Sequence, residues 1–200
     1  MRRVISAPRV LLGRAALLVA IAMSAGGCVK TASAPSPPAA SPFRIQASIQ
    51  EIMQSEVDPA ADALWDSVAT ISSASGIEER QPRTDEEWAA VRRHAITLIE
   101  AANLLVMDGR RVAREGKPLE DAHTPGISTP AEIQAAIDGS RTVFIERAHA
   151  LQSAGSAALS AIDARNAAAL TAAGGALDTA CEECHLKYWY PNTPRPSDSK

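Results

Sequence analysis

The sequence predicts an all-α protein, built as an up-down-up-down four-helix bundle. Three observations carry that expectation. Apolar residues recur at three- and four-residue steps in long runs, the spacing that lines one side of a helix. Side chains that cap helix ends stand at the starts of these runs. Aromatic residues make up only 4% of the 200 residues and alanine is the dominant apolar type, a composition that favours helix over sheet. No internal repeat or strand signal competes with these features. A single domain of this size can bury an adequate core without disulfides, and short connections between amphipathic helices favour the bundle.

The first helix is expected to open at Ser41-Pro42, as N-cap and first helical residue. Its stripe runs through Ile45, Ile49, Ile52 or Met53, Val57, Ala60, Leu64, Val68 and Ile71. Pro59 falls inside it, and a proline there removes one hydrogen bond and collides with the carbonyl four residues earlier. It should either split the run, with Asp58 capping the second half, or kink it. Because the stripe keeps phase across the proline, a kink is expected.

Thr84-Asp85-Glu86-Glu87 forms a capping box whose acids suit the positive end of a second helix. That helix carries Trp88, Val91, Ala95, Leu98, Ala102, Leu105 and Val112, with Gly109 as an early stop and Gly116-Lys117-Pro118 as the final one. A polar loop containing His123 follows. Thr129-Pro130-Ala131-Glu132 is a second capping box, opening a third helix with Ile133, Ile137, Ser140, Phe144, Ala148, Leu151, Ala158 and Ile162 on one face. Asn166 caps the fourth, whose stripe is Leu170, Ala173, Leu177, Cys181, Cys184 and Tyr188 and which closes at Pro191. Gly174-Gly175 keep part of its surface small enough for close approach by a neighbour.

The chain's start carries a different message. Residues 1–27 hold four arginines and no acid, and residues 15–23 are apolar but too few to span a bilayer. They are expected to be a signal peptide, whose removal takes the formal charge from −3 to −7. Ala25-Gly26-Gly27-Cys28 resembles a bacterial lipobox, in which Cys28 becomes the lipidated first residue. The alternative is ordinary cleavage near Ala25, leaving Cys28 as an odd thiol in an oxidising compartment. Val29 follows Cys28 where an inner-membrane retention signal would have Asp, so the resemblance implies an outer-membrane anchor facing the periplasm. Residues 29–42 are rich in Pro, Ser and Ala and make a tether, with a reach of about 40 Å when extended. Residues 43–190 form the domain, and 191–200 are expected to be a flexible tail. An acidic domain without a basic patch does not suit nucleic acid; a neutral or basic protein partner suits it better.

The most specific signal is Cys181-Glu182-Glu183-Cys184-His185. C-x-x-C-H is the attachment signature of haem c. Each thiol adds to one vinyl group of the porphyrin and the adjacent imidazole reaches the iron, because positions i, i+3 and i+4 of a helix share a face. A redox C-x-x-C would be expected near a βαβ pattern, and a structural zinc site needs four ligands; the sequence offers neither. Glu182 and Glu183 are expected to face solvent.

A helical bundle with this motif in the last turns of its fourth helix, behind a signal peptide, resembles the cytochrome c-prime family, and more particularly its low-spin six-coordinate members. The resemblance covers residues 43–190. It implies that Cys181 and Cys184 hold one covalent haem, that His185 is the proximal iron ligand, and that Lys187 is the nearest match to a basic residue beside a propionate. Tyr188-Trp189-Tyr190 would either cover the haem edge or simply pack the helix end. Members of the family often pair into homodimers.

On the other side of the iron, Met53 is the leading candidate. It lies about 15 Å into the first helix, while His185 lies about 8 Å from the end of the fourth. In an up-down-up-down bundle these depths correspond, and the family's distal position lies at about this depth. Met107 and His123 are also expected at this end, and the alternative for Met53, which lies on the apolar stripe, is a core filler. His94 and His149 fall mid-bundle. A methionine ligand would make a non-enzymatic electron carrier working with a redox partner protein, since thioether ligation fills the coordination sphere and raises the potential. An open distal side would make a five-coordinate protein that binds nitric oxide or carbon monoxide. A peroxidase-like enzyme would want distal acid–base groups, for which only His123 is available.

Overall fold

The structure, a computed structural model, describes residues 42–193; the expected signal peptide, Cys28, most of the tether and residues 194–200 lie outside the described residues. The fold is predominantly helical, as the stripes require. Its first helical stretch starts later than expected, at α1 (Ile49–Ile52), with Ser48 as its cap. The Ser48 hydroxyl accepts from Glu51 N at 3.2 Å, and the Glu51 carboxylate accepts from Ser48 N at 2.9 Å. That reciprocal pair satisfies two helix-end donors and makes Ser41-Pro42 unnecessary as a start.

The stretch then passes without a break through a single π turn, Met53–Val57, into α2 (Asp58–Asp66). Asp58 makes no side-chain cap; its N–H bonds to the Met53 carbonyl, five residues back. Pro59 therefore neither splits the helix nor begins a new one. A wider turn just before the proline accommodates it.

The helix ends at Asp66, short of the expected Ile71. A small antiparallel hairpin follows instead, β1 (Thr70–Ser73) with β2 (Gly76–Glu79), pairing Thr70 with Glu79 and Ser72 with Ile77. Strand was not expected anywhere. Thr70 and Ile71 are β-branched and the serine-rich turn ends on Gly76, whose φ of +128° favours glycine. Ile77 is 74% exposed, so the hairpin is a surface ribbon rather than part of the core.

α3 (Asp85–Leu105) opens on the expected capping box at Thr84 and stops before Gly109. Val112 is buried but belongs to the irregular segment after the helix. Arg110 staples that segment: its guanidinium donates to the carbonyls of Leu104 and Ala47 and to the Met107 sulfur. Carbonyls left open at a helix end are natural partners for a buried cation.

The expected third helix is two. α4 (Pro130–Gly139) opens on the Thr129 capping box, and α5 (Arg141–Asp163) begins after Ser140, whose φ/ψ of −140°/46° leaves helical geometry. Gly139-Ser140 is a weak helical pair, and the Ser140 hydroxyl turns back to the Ala136 carbonyl at 2.7 Å. α6 (Ala167–Tyr188) opens on Asn166, whose Oδ1 accepts from Ala169 N at 2.9 Å.

α2 packs on α3 and α6, and α5 packs on α3 and α6, around a core that includes Leu64, Leu98, Ile133, Leu170 and Leu177. Two glycines set the approach. A Cβ at Gly155 of α5 would lie 3.0 Å from Ile99 of α3, and one at Gly174 of α6 would lie 3.0 Å from Trp65 of α2.

Candidate haem-attachment site

α6 brings Cys181, Cys184 and His185 onto one face by spacing alone. Tyr188 fixes that face inward: its ring is buried edge-on against Phe144, with centroids 5.5 Å apart, and its hydroxyl lies 3.3 Å from that of Ser140. Of the three terminal aromatics, Tyr188 is therefore helix-end packing. Trp189 and Tyr190 flank the imidazole instead, with ring centroids 5.7 and 6.0 Å from that of His185. The Glu183 carboxylate pairs with Arg147 of α5, and Glu182 accepts from the Tyr190 hydroxyl at 2.6 Å, so both acids inside the motif stay on the outer side.

Two clefts meet at this face. The apolar one, about 30 Å³, is bordered by both thiols and by Ile49, Val57, Phe144 and Leu151. The more polar one, about 130 Å³, is bordered by Gln50, Gln54, Glu120, Asp121 and Tyr190. Met53, Asp58, His185 and Trp189 border both. Met53 thus shares its surroundings with His185. Met107 does not: its sulfur accepts from Arg110 beyond the end of α3, and it borders neither cleft. His123 is exposed in the loop before α4 and also borders neither. His94 and His149 are exposed on helix surfaces, and Lys187 lies over the Tyr188 ring at 5.5 Å.

Burial decides the protonation states. It pushes the Cys181 thiol up to about 11, with Asp58 and Asp178 adding to the rise. It pushes the Cys184 thiol up to about 11 as well, with Cys181 adding and Arg147 opposing. Both cysteines are free and protonated at neutral pH, unlike the exposed, low-pKa thiolates of redox or metal-binding cysteines. Burial also lowers His185, against the pull of Asp58 and Glu182, so its imidazole is neutral and keeps a lone pair for a metal. The Asp58 carboxyl is raised by desolvation, with His185 opposing.

These residues fit a haem c. Two thiols one turn apart with a neutral imidazole beside them are donors of the kind that group takes, and the Met53 thioether and apolar side chains border the same clefts. Gln50 Oε1, beside the polar cleft, is buried without a hydrogen-bond partner among the described residues. The clefts are smaller than the roughly 300–1,000 Å³ of ordinary ligand pockets. Among the described residues, no group of three or more His, Cys, Asp or Glu side chains converges on a point where it would hold a metal ion.

Sequence reasoning missed three neighbours of the site. Asp58 lies five residues from Met53, a spacing that helical templates do not pair. Arg147 breaks the apolar face between Phe144 and Ala148, and that interruption was readable. Gln50 carries no sequence signal. No family model, curated protein or solved structure matches the chain.

Proposed function

We propose that residues 43–190 are a four-helix-bundle monohaem c-type cytochrome, akin to the low-spin members of the cytochrome c-prime family, that carries electrons in the periplasm. In this reading Cys181 and Cys184 bind the porphyrin covalently, His185 is the proximal ligand and Met53 the distal one. The observation that carries it is the common border of Met53 and His185, on different helices, with both thiols on the His185 side.

A bound haem would supply a one-electron iron couple, and the chain's residues would tune it. The Met53 thioether would be a donor that favours the ferrous state and would leave no site open to other ligands. Ile49, Val57, Phe144 and Leu151 exclude water from the attachment side, which lowers the cost of carrying the less charged state. Trp189 and Tyr190, packed beside His185, hold the imidazole plane and form the rim facing a redox partner. We further propose that the protein is exported by residues 1–27 and anchored through a lipidated Cys28.

The test is a pyridine haemochrome assay on protein exported in cells that make c-type cytochromes. Wild type is expected to carry one covalent haem, and Cys181→Ser with Cys184→Ser to carry none; haem-free wild type would defeat the reading. A high-spin ferric spectrum in haem-loaded wild type would instead favour an open distal side that binds nitric oxide or carbon monoxide.

A further inference from the structure

In a regular α-helix, residues five apart point about 140° away from each other. Met53 and Asp58 nevertheless border the same two clefts, and Ile52 and Val57, also five apart, are both buried. The π turn Met53–Val57 accounts for both pairs. Its wider loop, closed by Asp58 N–H on the Met53 carbonyl, brings positions i and i+5 into line.

The cause of the π turn follows it in the chain. Pro59 has no N–H, and in a straight α-helix its ring would meet the carbonyl of Ser55. Widening the preceding turn relieves that collision. With the proline in place, the wider turn is compatible with anchors at both ends. Ile49 N and Gln50 N donate to the carbonyls of Arg111 and Val112 at 2.8 and 2.9 Å, and Ala60, Ala61 and Leu64 are locked in the core.

We propose that Pro59 is a positioning residue for Met53: by holding the π turn, it keeps the thioether turned toward His185. This rests on the reading of Met53 as an axial ligand. With alanine at position 59, ordinary α geometry becomes available. One residue fewer in that turn then rotates Met53 by about 100° relative to α2.

The experiment uses the haem-loaded full chain as wild type, Met53→Ala, Pro59→Ala, and Pro59→Ala with Ser55 deleted. The deletion removes an exposed residue of the π turn, so Met53 and Asp58 become four apart and share a face in an unbroken α-helix. Three quantities are measured: the near-infrared methionine–iron band of the ferric form, carbon monoxide affinity of the ferrous form, and far-UV circular dichroism. Wild type should show the band and Met53→Ala should lack it. Pro59→Ala should keep its helicity, lose more than half of the band, and bind carbon monoxide about tenfold more tightly as the competing ligand's occupancy falls. The deletion should restore the band. A full band with wild-type carbon monoxide affinity in Pro59→Ala overturns the role of Pro59 while leaving Met53 as ligand. A wild type without the band, or a band that survives in Met53→Ala, overturns the ligand assignment and the role of Pro59 with it. If Pro59→Ala does not load haem, a loaded deletion variant with the band supports the proposal. A loaded one without the band, or failure of both to load, overturns it.

Discussion

Met53 is half-buried on a helix otherwise anchored by Ile49, Ile52 and Val57, all nearly inaccessible. A methionine serving only as filler would be replaceable by a smaller apolar residue at the cost of some packing. A methionine serving as ligand would not. Met53→Ala in the haem-loaded protein is therefore expected to turn a low-spin ferric spectrum high-spin and to admit carbon monoxide in the ferrous form. An unchanged low-spin spectrum would show that another side chain binds the iron. That Cys181, Cys184 and His185 share one helix face was legible in the sequence, because their spacing lies within one helical turn. Asp58 was not, because its proximity to Met53 depends on a π turn that no 3.6-residue template anticipates. Met107 and His123 were expected near the same end, and the irregular chain after α3 turns both away from the clefts.

The helices themselves were legible where they are capped: Thr84, Thr129 and Asn166 each accept the backbone hydrogen bond their position suggests. The same logic applied to Ser48 and Glu51 would have found the true start of α1. The hairpin and the break at Ser140 were hidden for different reasons. Four-residue strands leave too short an alternation to read, and Ser140 sits in phase with the stripe that it interrupts. Gly174 and Gly175 offer a sharp test of helix packing. Alanine favours a helix over glycine by about 1 kcal/mol, so Gly175→Ala, with nothing within 4 Å of its new methyl group, should raise thermal stability. At Gly174 the added methyl would sit 3.0 Å from Trp65 Cδ1 and 3.3 Å from Nε1, beside the bond from Trp65 Nε1 to the Gly174 carbonyl at 3.0 Å. Overpacking of that kind costs about 1–3 kcal/mol and outweighs the propensity gain. The two neighbouring substitutions should shift the melting temperature in opposite directions, and a rise in both would mean that α2 and α6 yield more easily than this packing implies.

For the whole molecule, the proposed anchor governs where an electron carrier can work. In that proposal residues 1–27 would act as a signal segment, whose apolar stretch of residues 15–23 is too short to span a bilayer; among the described residues no helix is long and apolar enough to cross one. The attachment proposed above is lipid on Cys28. One acyl chain gives only marginal binding, whereas several on the same residue give stable anchoring. A tether reaching about 40 Å would then let an acidic domain search for partners close to the membrane, where collisions are confined to a thin layer. Labelled palmitate is expected to mark the wild-type protein, and membrane fractions to retain it after washing with high salt, since the anchor is hydrophobic and not screened by ions. Cys28→Ser should abolish labelling and release a soluble protein with its haem content and visible spectrum intact, because residues 181–185 are distant in the chain from position 28 and do not depend on the lipid. Labelling that persists in Cys28→Ser would overturn the anchor without touching the haem reading. Loss of haem together with lipid would indicate that attachment to the membrane precedes haem insertion.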